Sequence, residues 1–402
     1  MSVGQRSVRA VYLTYALQSM GQAISWQFVT YFVKHELDVT SFLLITLVWA
    51  APAFVTMVAV NVWGSASDNL GRRRPFMIIG FIGYAVTFAL YSLVTNVEQY
   101  FAVALVGAAF SAAALPVGQA YLTTGISNKG ERLGYFLVAQ STGWLFGALV
   151  SGLLYDVIGM YALYRISALL CVLATGVCVL SVQDMRVKPV EKTARIGLRR
   201  VLRQPGMIRL VLAAACSAIG INSISYIMAI MIVDELGGLT AYVGLANAIA
   251  TAIAALITGY IGKLVDRKGP VRVMVLAYLS YALFAVGFAL AQGPLIATVL
   301  YALPIYPLAS TAAYALGAVL SRDEERGRAM GLVNGAQNAG AALGPVIGGL
   351  SAEFVFGRAQ PISWINMVFN LLALILALSL LRLGAELHSQ KDEGLSAITR
   401  PV

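Results

Sequence analysis

Charged side chains are scarce in this sequence. Only 11% of its 402 residues are Asp, Glu, Lys or Arg, whereas 59% are hydrophobic. A soluble domain carries roughly 25% charged residues, because polar surface has to hide its apolar core from water. With a mean hydropathy of +0.80, this chain lacks the polar surface of a soluble protein. The composition predicts an integral membrane protein that is solvated mostly by lipid.

Residue types that bind metals or catalyse reactions are scarce too. The two histidines, His35 and His388, lie outside the apolar stretches, and the three cysteines lie inside them. Cys171 and Cys178 share a helical face, as a metal or redox pair would, but buried apolar cysteines usually pack as inert side chains. No His-Glu-x-x-His motif and no Ser/His pair falls within an apolar stretch. We therefore predict no metal, no cofactor and no enzymatic activity.

The apolar residues form twelve stretches that are long enough to cross a bilayer as helices, which takes roughly 20 residues each. The predicted spans are 8–33, 41–66, 75–95, 99–124, 131–155, 160–183, 207–233, 240–262, 271–291, 294–320, 328–352 and 361–384. We predict an all-α membrane protein with an N-terminal six-helix bundle (1–183), a cytoplasmic linker (184–206) and a C-terminal six-helix bundle with a short cytoplasmic tail (207–402). The first stretch is too long for the core of a cleavable signal, so we expect it to be a retained span.

Positive charge is distributed unevenly over the connections between the spans. If the N-terminus faces the cytoplasm, all but three of the 28 Lys and Arg residues lie on that side, leaving Lys34, Arg165 and Arg358 outside. Because basic residues are retained on the cytoplasmic side, we predict a plasma-membrane protein with both termini in the cytoplasm. The net charge of +10 then lies against anionic lipid, and we predict no nucleic-acid partner.

The two halves of the chain resemble each other at an offset of about 197 residues. Gly, Asp, Gly and Arg recur with identical spacing in the connections after the second and eighth spans, at Gly64, Asp68, Gly71 and Arg74 and at Gly262, Asp266, Gly269 and Arg272. The fifth and eleventh spans match at Gly134/Gly331, Gln140/Gln337, Gly143/Gly340, Gly147/Gly344, Gly152/Gly349 and Asp156/Glu353. Many transporters are built from such repeats.

Two of these segments carry a family resemblance. The first, Gly-x3-Asp-x2-Gly-Arg-Arg-Arg from Gly64 to Arg74, resembles the signature that the major facilitator superfamily has between its second and third helices. The second is similar to the glycine-proline motif that its drug/proton antiporters have in the fifth helix; here the full form lies in the eleventh span, at Gly340, Gly344, Pro345, Gly348 and Gly349. The resemblance implies two pseudo-symmetric six-helix bundles around a central cavity and a secondary transporter that works by alternating access.

The resemblance also implies that the two Asp-bearing connections are latches that stabilise the state closed to the cytoplasm. Asp68 would meet the partial positive charge at the start of the eleventh helix, where Ser321–Glu324 has a capping-box pattern, and Asp266 would meet the start of the fifth helix near Asn128. The alternative is a pair of ordinary charged turns. The latch candidates are Gly64, Asp68, Gly71, Arg72, Arg74, Gly262, Asp266, Gly269 and Arg272.

Glycine and proline within the spans predict close packing and bends. Gly-x3-Gly rows let helices approach closely, and static packing is the alternative to bending. The candidates are Gly143, Gly147, Gly340, Gly344, Pro345, Gly348 and Gly349. Pro304 and Pro307 should interrupt the hydrogen bonds of the tenth span.

Polar side chains within the spans are candidates for a substrate cavity, because an amide that faces lipid would cost several kcal/mol unless it is hydrogen-bonded. The alternative is that the amides join helices by hydrogen bonds. The cavity candidates are Tyr15, Gln18, Gln22, Trp26, Gln119, Gln140, Trp144, Asn222, Tyr226, Asn247, Tyr306, Ser310, Tyr314, Asn334, Gln337 and Asn338.

No acidic or basic residue lies near the middle of a predicted span, where proton relays are normally found. Proton coupling remains possible only through His35 or acids near the outer ends of the spans, namely Asp156, Asp234, Glu235 and Glu353. A cavity of amides and aromatics suits a neutral or amphiphilic small-molecule substrate. We predict a monomeric secondary transporter in the lipid bilayer that exports amphiphilic or drug-like compounds; the alternative is a permease or facilitator for sugars or other neutral polar solutes. A channel, scaffold or receptor would have no need of twin latches.

Overall fold

The structure is a computed structural model that describes residues 4–124, 129–185, 198–321 and 325–398. Within these ranges the chain is almost entirely helical and contains no β-strand. Much of the linker predicted over 184–206 lies outside the described residues.

The N-terminal half consists of six membrane-crossing segments, which we call spans 1 to 6. Their helices are Gln5–Trp26 and Val29–His35 (span 1), Phe42–Leu70 (span 2), Arg74–Tyr91 (span 3), Val97–Ser111 and Ala114–Thr123 (span 4), and Lys129–Ser181 (spans 5 and 6). The last helix bends at Gly159, whose φ of 74° lies in the region that favours glycine. Spans 5 and 6 are its two arms.

The C-terminal half begins with a short helix, Leu198–Leu202, and continues with spans 7 to 12. Their helices are Met207–Ser225, Met228–Ile230 and the π-helix Met231–Glu235 (span 7), Thr240–Lys268 (span 8), Pro270–Ala289 (span 9), Pro294–Tyr301 and Tyr306–Leu320 (span 10), Arg326–Ser351 and the π-helix Ala352–Phe356 (span 11), and the 3-10 helix Gln360–Ile362 with Ser363–Ile398 (span 12).

The prediction of twelve spans is confirmed. In the described chain, ten helices are long and apolar enough to cross a membrane, and one of them, Lys129–Ser181, contains two spans. Span 1 is absent from those ten because polar side chains such as Gln18 and Gln22 lower its hydropathy. These side chains are buried inside the protein, so the span does not have to be apolar all round.

Four spans are interrupted, and each is the first of a group of three: spans 1, 4, 7 and 10. In span 10 the residues around Pro304 are not helical and a new helix begins at Tyr306, with Pro307 in its first turn. This break was predicted from the prolines and is confirmed. Spans 1 and 7 break without a proline, after Trp26 and Ser225. Span 4 breaks after Ser111, and Pro116 lies in the first turn of the helix that follows, Ala114–Thr123. These three breaks were not predicted.

The connections between the spans lie at two opposite ends of the bundle, which we call the terminus face and the opposite face. The terminus face carries the first residues of span 1 and the connections between spans 2 and 3 and between spans 8 and 9. The opposite face carries the connections between spans 1 and 2, 7 and 8, and 11 and 12. The halves touch where span 5 crosses span 8 and where span 11 crosses span 2.

The hydrophobic core is joined at the opposite face and divided at the terminus face. One cluster contains residues of both halves, such as Phe28 and Tyr155 with Ile230 and Phe288. Towards the terminus face there are two separate clusters. One is confined to the N-terminal half and the other to the C-terminal half. The two bundles therefore diverge towards the terminus face.

Candidate substrate cavity

A cavity of about 490 Å³ lies between the two halves. Its walls come from spans 1, 5, 7, 8, 9, 10 and 12, and among the residues described there none is acidic, basic or a histidine. Four of the predicted cavity residues border it: Gln140, Trp144, Asn247 and Tyr306. The wall can therefore offer hydrogen bonds and aromatic faces to a ligand, but no counter-charge.

Two of these residues are joined across the halves. The indole Nε1–H of Trp144 on span 5 donates to Oδ1 of Asn247 on span 8 at 2.9 Å. The amide Nδ2–H of Asn247 in turn donates to the hydroxyl of Tyr301 on span 10 at 3.3 Å. Both ends of the Asn247 amide thus have partners, and the chain of bonds fixes the aromatic wall.

An aromatic cluster closes the cavity towards the opposite face. Trp49 of span 2 stacks on Tyr226 of span 7, with ring centroids 4.4 Å apart and an interplanar angle of 26°. Trp26 packs edge-on against Trp49 at 5.4 Å and against Trp144 at 6.4 Å. The carbonyl of Tyr226, at the break of span 7, accepts a hydrogen bond from Thr30 at 2.5 Å. The cavity candidates Trp26 and Tyr226 thus lie in this closure.

The remaining candidates of span 1 are buried within the N-terminal half and do not border the cavity. The hydroxyl of Tyr15 donates to the carbonyl of Ala114 on span 4. The Gln22 amide donates to the Tyr84 hydroxyl on span 3 at 2.8 Å. In this conformation Tyr15 and Gln22 join helices, which is the alternative that the sequence left open; Gln18 lies beside them.

Three candidates on span 11 form a polar stripe near Tyr314 of span 10. The Tyr314 hydroxyl lies 3.0 Å from Oε1 of Gln337 and 3.3 Å from Oδ1 of Asn334, and Asn338 is exposed on the same helix. At the repeat offset of 197, these three positions on span 11 correspond to Leu137, Gln140 and Ser141, all of which border the cavity.

The other three candidates do not border the cavity either. Asn222 bonds the carbonyl of Ala218 one turn earlier at 2.7 Å, and Ser310 bonds the carbonyl of Tyr306 at 2.9 Å. Gln119 is half-buried on span 4.

The predicted latch residues contact their own halves. Asp68 binds Arg73 of the same connection at 2.6 Å, and Arg72 binds Asp184 at the end of span 6 at 3.3 Å. Arg74 donates to the carbonyl of Val179.

The second connection makes fewer contacts. Asp266 and Arg272 form no side-chain hydrogen bond or ion pair within the described part of the chain. Gly71 ends span 2 with a φ of 61°, and Gly269 ends span 8 with a φ of 83°. Gly64 and Gly262 have open space around them. The capping-box residues 322–324 and Asn128 lie outside the described residues.

The glycine rows pack span 5 on span 1 and span 11 on span 7. A Cβ on Gly344 would lie 2.7 Å from the carbonyl oxygen of Ile219. Gly143, Gly147, Gly340 and Gly348 have equally close backbone neighbours, and Pro345 lies within the helix among them. At the opposite face Gly349 meets Thr46 of span 2 across the halves.

At the opposite face two acidic residues bridge the halves at equivalent places of the repeat. Oδ2 of Asp156, near the end of span 5, accepts a hydrogen bond from the Thr240 hydroxyl at the start of span 8, at 2.9 Å. Oε2 of Glu353, near the end of span 11, accepts one from the backbone N–H of Phe42 at the start of span 2, at 2.6 Å.

A third acidic residue, Asp234 of span 7, also bridges the two halves. Asp234 binds Lys34 at 2.5 Å and His35 at 3.0 Å. We call Asp156, Asp234 and Glu353 with these partners the opposite-face lock.

The sequence profile of the Major Facilitator Superfamily matches residues 11–320 and 306–400, which is nearly the whole chain. The chain belongs to the Major Facilitator Superfamily. The resemblance read from the Gly64–Arg74 segment is therefore confirmed.

Curated relatives within this superfamily are named as multidrug resistance proteins. MdtG of Enterobacter lignolyticus is 26% identical over 363 residues, which cover 86% of this chain and 84% of that protein. MdtG of Escherichia coli is 24% identical over 259 residues, 62% of each chain, so the alignment spans less than two thirds of that protein's length.

Solved structures of superfamily transporters share the fold. The nucleoside transporter NupG has a TM-score of 0.74 at 14% identity, covering 94% of this chain and 99% of that one. The human organic anion transporter MFSD10 has a TM-score of 0.66 at 15% identity, covering 93% and 99%. The fold class predicted from the sequence is confirmed.

Several wall residues of this superfamily member were missed from the sequence. Tyr281 and Phe284 of span 9, Tyr301 of span 10 and Asn366 of span 12 all border the cavity. A signal was present for Asn366, because it and Asn370 form an amide pair one turn apart in an otherwise apolar span. The aromatic residues gave no such signal, since apolar spans contain many aromatic side chains.

Proposed function

We propose that this transporter exports neutral, amphiphilic aromatic compounds across the plasma membrane by alternating access. The observation that carries the proposal is the chemistry of the cavity, whose described wall combines aliphatic side chains and aromatic rings with a few amides and hydroxyls and carries no charge. Ligand pockets are typically apolar with a few placed polar groups, and this wall follows that pattern. The names of the MdtG relatives support export of drug-like compounds.

The transport cycle follows from the two ways in which the halves can meet. Here they are joined by the opposite-face lock and the aromatic cluster of Trp26, Trp49 and Tyr226, so the cavity is reached from the terminus face. We place the terminus face in the cytoplasm on the basis of the positive charge, and we take residues 1–183 and 207–402 as the two moving bundles of a monomer. Labelling of a cysteine at Ser321 only from the extracellular side would contradict this orientation.

Closing the terminus face requires new contacts between the halves. We propose that Asp68 exchanges Arg73 for the start of span 11 in that state, and that Asp266 makes the equivalent contact with the start of span 5. The exposed amides of a helix start attract a carboxylate. The latch contacts and the opposite-face lock would then form in alternate states of the transport cycle.

A thermal-shift screen of the purified protein tests the proposed substrate class, because a ligand that binds the folded state raises the melting temperature. Neutral aromatic ketones should stabilise the protein, and sugars of similar size should not. Stabilisation by sugars alone would favour the permease alternative. Stabilisation by lipophilic cations alone would contradict a neutral substrate class and would point to cation–π contacts with the aromatic rings of the wall.

A further inference from the structure

One wall residue of the cavity has an unused hydrogen-bond donor. Asn366 of span 12 borders the cavity and is only 1% exposed. Its Nδ2 atom has no protein partner. Among the buried polar side-chain atoms of the described chain that lack a partner, this is the one that belongs to a residue bordering the cavity. A buried donor that stays unpaired is costly, so such atoms usually have a partner.

The orientation of this amide is fixed by its neighbours. The hydroxyl of Ser217 on span 7 donates to Oδ1 of Asn370 at 2.8 Å, which leaves Nδ2 of Asn370 as a donor. That Nδ2 group donates to Oδ1 of Asn366 at 2.6 Å and to its backbone carbonyl at 3.0 Å. Turning the Asn366 amide over would set two N–H groups against each other. Nδ2 of Asn366 is therefore the donor that remains.

The surrounding helices make room for this arrangement. A Cβ on Gly220 of span 7 would lie 2.9 Å from Nδ2 of Asn370 and 3.0 Å from the carbonyl oxygen of Asn366. Glycine at this position thus lets span 7 approach the two amides. The network holds the Asn366 side chain in place before any ligand arrives, which lowers the entropy cost of binding.

Asn247 of span 8, which belongs to the same C-terminal half and also borders the cavity, differs from Asn366 in its hydrogen bonds. Its Oδ1 accepts from Trp144 and its Nδ2 donates to Tyr301, so its amide already has partners at both ends. A ligand that reaches Asn366 gains a hydrogen bond without breaking one in the protein. At Asn247 it would have to displace a protein partner.

We infer that Asn366 is a substrate-binding residue that donates a hydrogen bond to an oxygen acceptor of the transported compound. The favoured compounds then have a carbonyl oxygen beside an aromatic ring system, which Tyr281 and Phe284 of the neighbouring wall would contact. This inference rests on the proposed function and narrows its substrate class. A site with an unpaired donor positioned for a carbonyl oxygen binds an analogue that lacks the carbonyl less tightly.

The test compares fluorenone with fluorene, two neutral aromatic compounds that differ in one carbonyl group. Binding of both tritiated compounds to the purified full-length protein is measured by scintillation proximity. Asn366→Leu should weaken fluorenone binding about fivefold, the effect of one neutral hydrogen bond, and leave fluorene binding unchanged. Unchanged fluorene binding also shows that the variant is folded. If Asn366→Leu does not fold, Asn366→Ser gives the same comparison.

Asn247→Leu is the matched control, because it makes the same change on the same cavity wall. It should weaken both compounds alike, since it disturbs the Trp144 and Tyr301 rings rather than a free donor. Equal losses of the two compounds in Asn366→Leu, or no loss of either, would overturn the inference and leave the proposed function intact. A wild-type protein that binds neither compound would overturn the proposed function and the inference with it.

Discussion

The polar side chains inside the spans differ in where their partners lie. Gln22 bonds Tyr84 within its own half, so it contributes to helix packing. Gln140 borders the cavity and has no side-chain bond to another described residue. An amide of the second kind is available to a ligand, whereas one of the first kind would have to give up a bond.

We therefore expect Gln140→Leu to weaken the binding of fluorenone by about 1 kcal/mol, the contribution of one neutral hydrogen bond. Gln119→Leu is the matched control, because Gln119 is a half-buried glutamine in the same half that does not border the cavity. Dissociation constants from equilibrium dialysis measure the effect. The assignment of Gln140 to the ligand fails if both variants bind as wild type does, or if both weaken equally.

At the scale of single residues, the sequence predicted which residue types line the site better than it predicted which of those residues border the cavity. The amides Gln140 and Asn247 were found because an amide in an apolar span must be satisfied. The same argument also selected Gln22 and Tyr15, which are satisfied inside one bundle. Helical periodicity gives the face of a residue on its own span, but not which neighbouring helix that face meets.

Helix crossings govern how closely the two halves can join at the opposite face. Spans 5 and 8 cross at two glycines, where a Cβ on Gly244 would lie 2.6 Å from Cα of Gly152. The contact is between backbones, so a side chain there cannot be accommodated by a rotamer change. The closed opposite face requires this crossing.

We expect Gly244→Val to shift the protein towards a state open at the opposite face. A reporter cysteine at Ser141, which borders the cavity, should then react with an impermeant maleimide from that side. Gly259→Val is the control, because Gly259 lies on the same helix and nothing lies within 4 Å of its Cβ position. Similar labelling of the two variants would show that the crossing does not limit opening.

The latch makes the complementary prediction at the terminus face. Asp68→Asn should slow transport in vesicles and raise cysteine reactivity from the terminus face, because the neutral side chain is held less strongly by a helix start. Asp184→Asn removes another carboxylate at the same face, one that pairs with Arg72 in its own half, and should leave both readouts nearly unchanged. An Asp68→Asn protein with wild-type flux and reactivity would return the motif to an ordinary charged turn.

For the whole molecule, hydropathy predicted the spans closely because the side of a span that faces lipid must be apolar over its length. The predicted start and end of span 10, 294–320, coincide with Pro294 and Leu320. The breaks after Trp26 and Ser225 were not predicted, because they are stabilised by contacts between the halves, such as Thr30 with the carbonyl of Tyr226. The sequence does not indicate which of the two alternating conformations the structure shows.

Acidic residues and binding chemistry are separated in this molecule. The described cavity wall has no Asp, Glu, Lys, Arg or His, whereas the opposite-face lock contains three carboxylates. A proton that drives transport has to bind a group that changes its partner during the cycle, and the lock residues do so when the halves separate. We therefore propose that any proton coupling acts through the lock and changes the conformational equilibrium, while substrate is bound by neutral groups.

This separation predicts that substrate binding depends little on pH. The affinity for fluorenone should differ by less than about twofold between about pH 5.5 and about pH 8, because no charge at the described wall changes. Asp156→Asn and Glu353→Gln should retain binding, since each removes one titratable charge from the lock and leaves the cavity wall unchanged. Uptake into vesicles with an imposed proton gradient should respond to these variants if the lock is the coupling site. A strong pH dependence of binding that Asp156→Asn alone abolishes would contradict the separation and make Asp156 part of the substrate site.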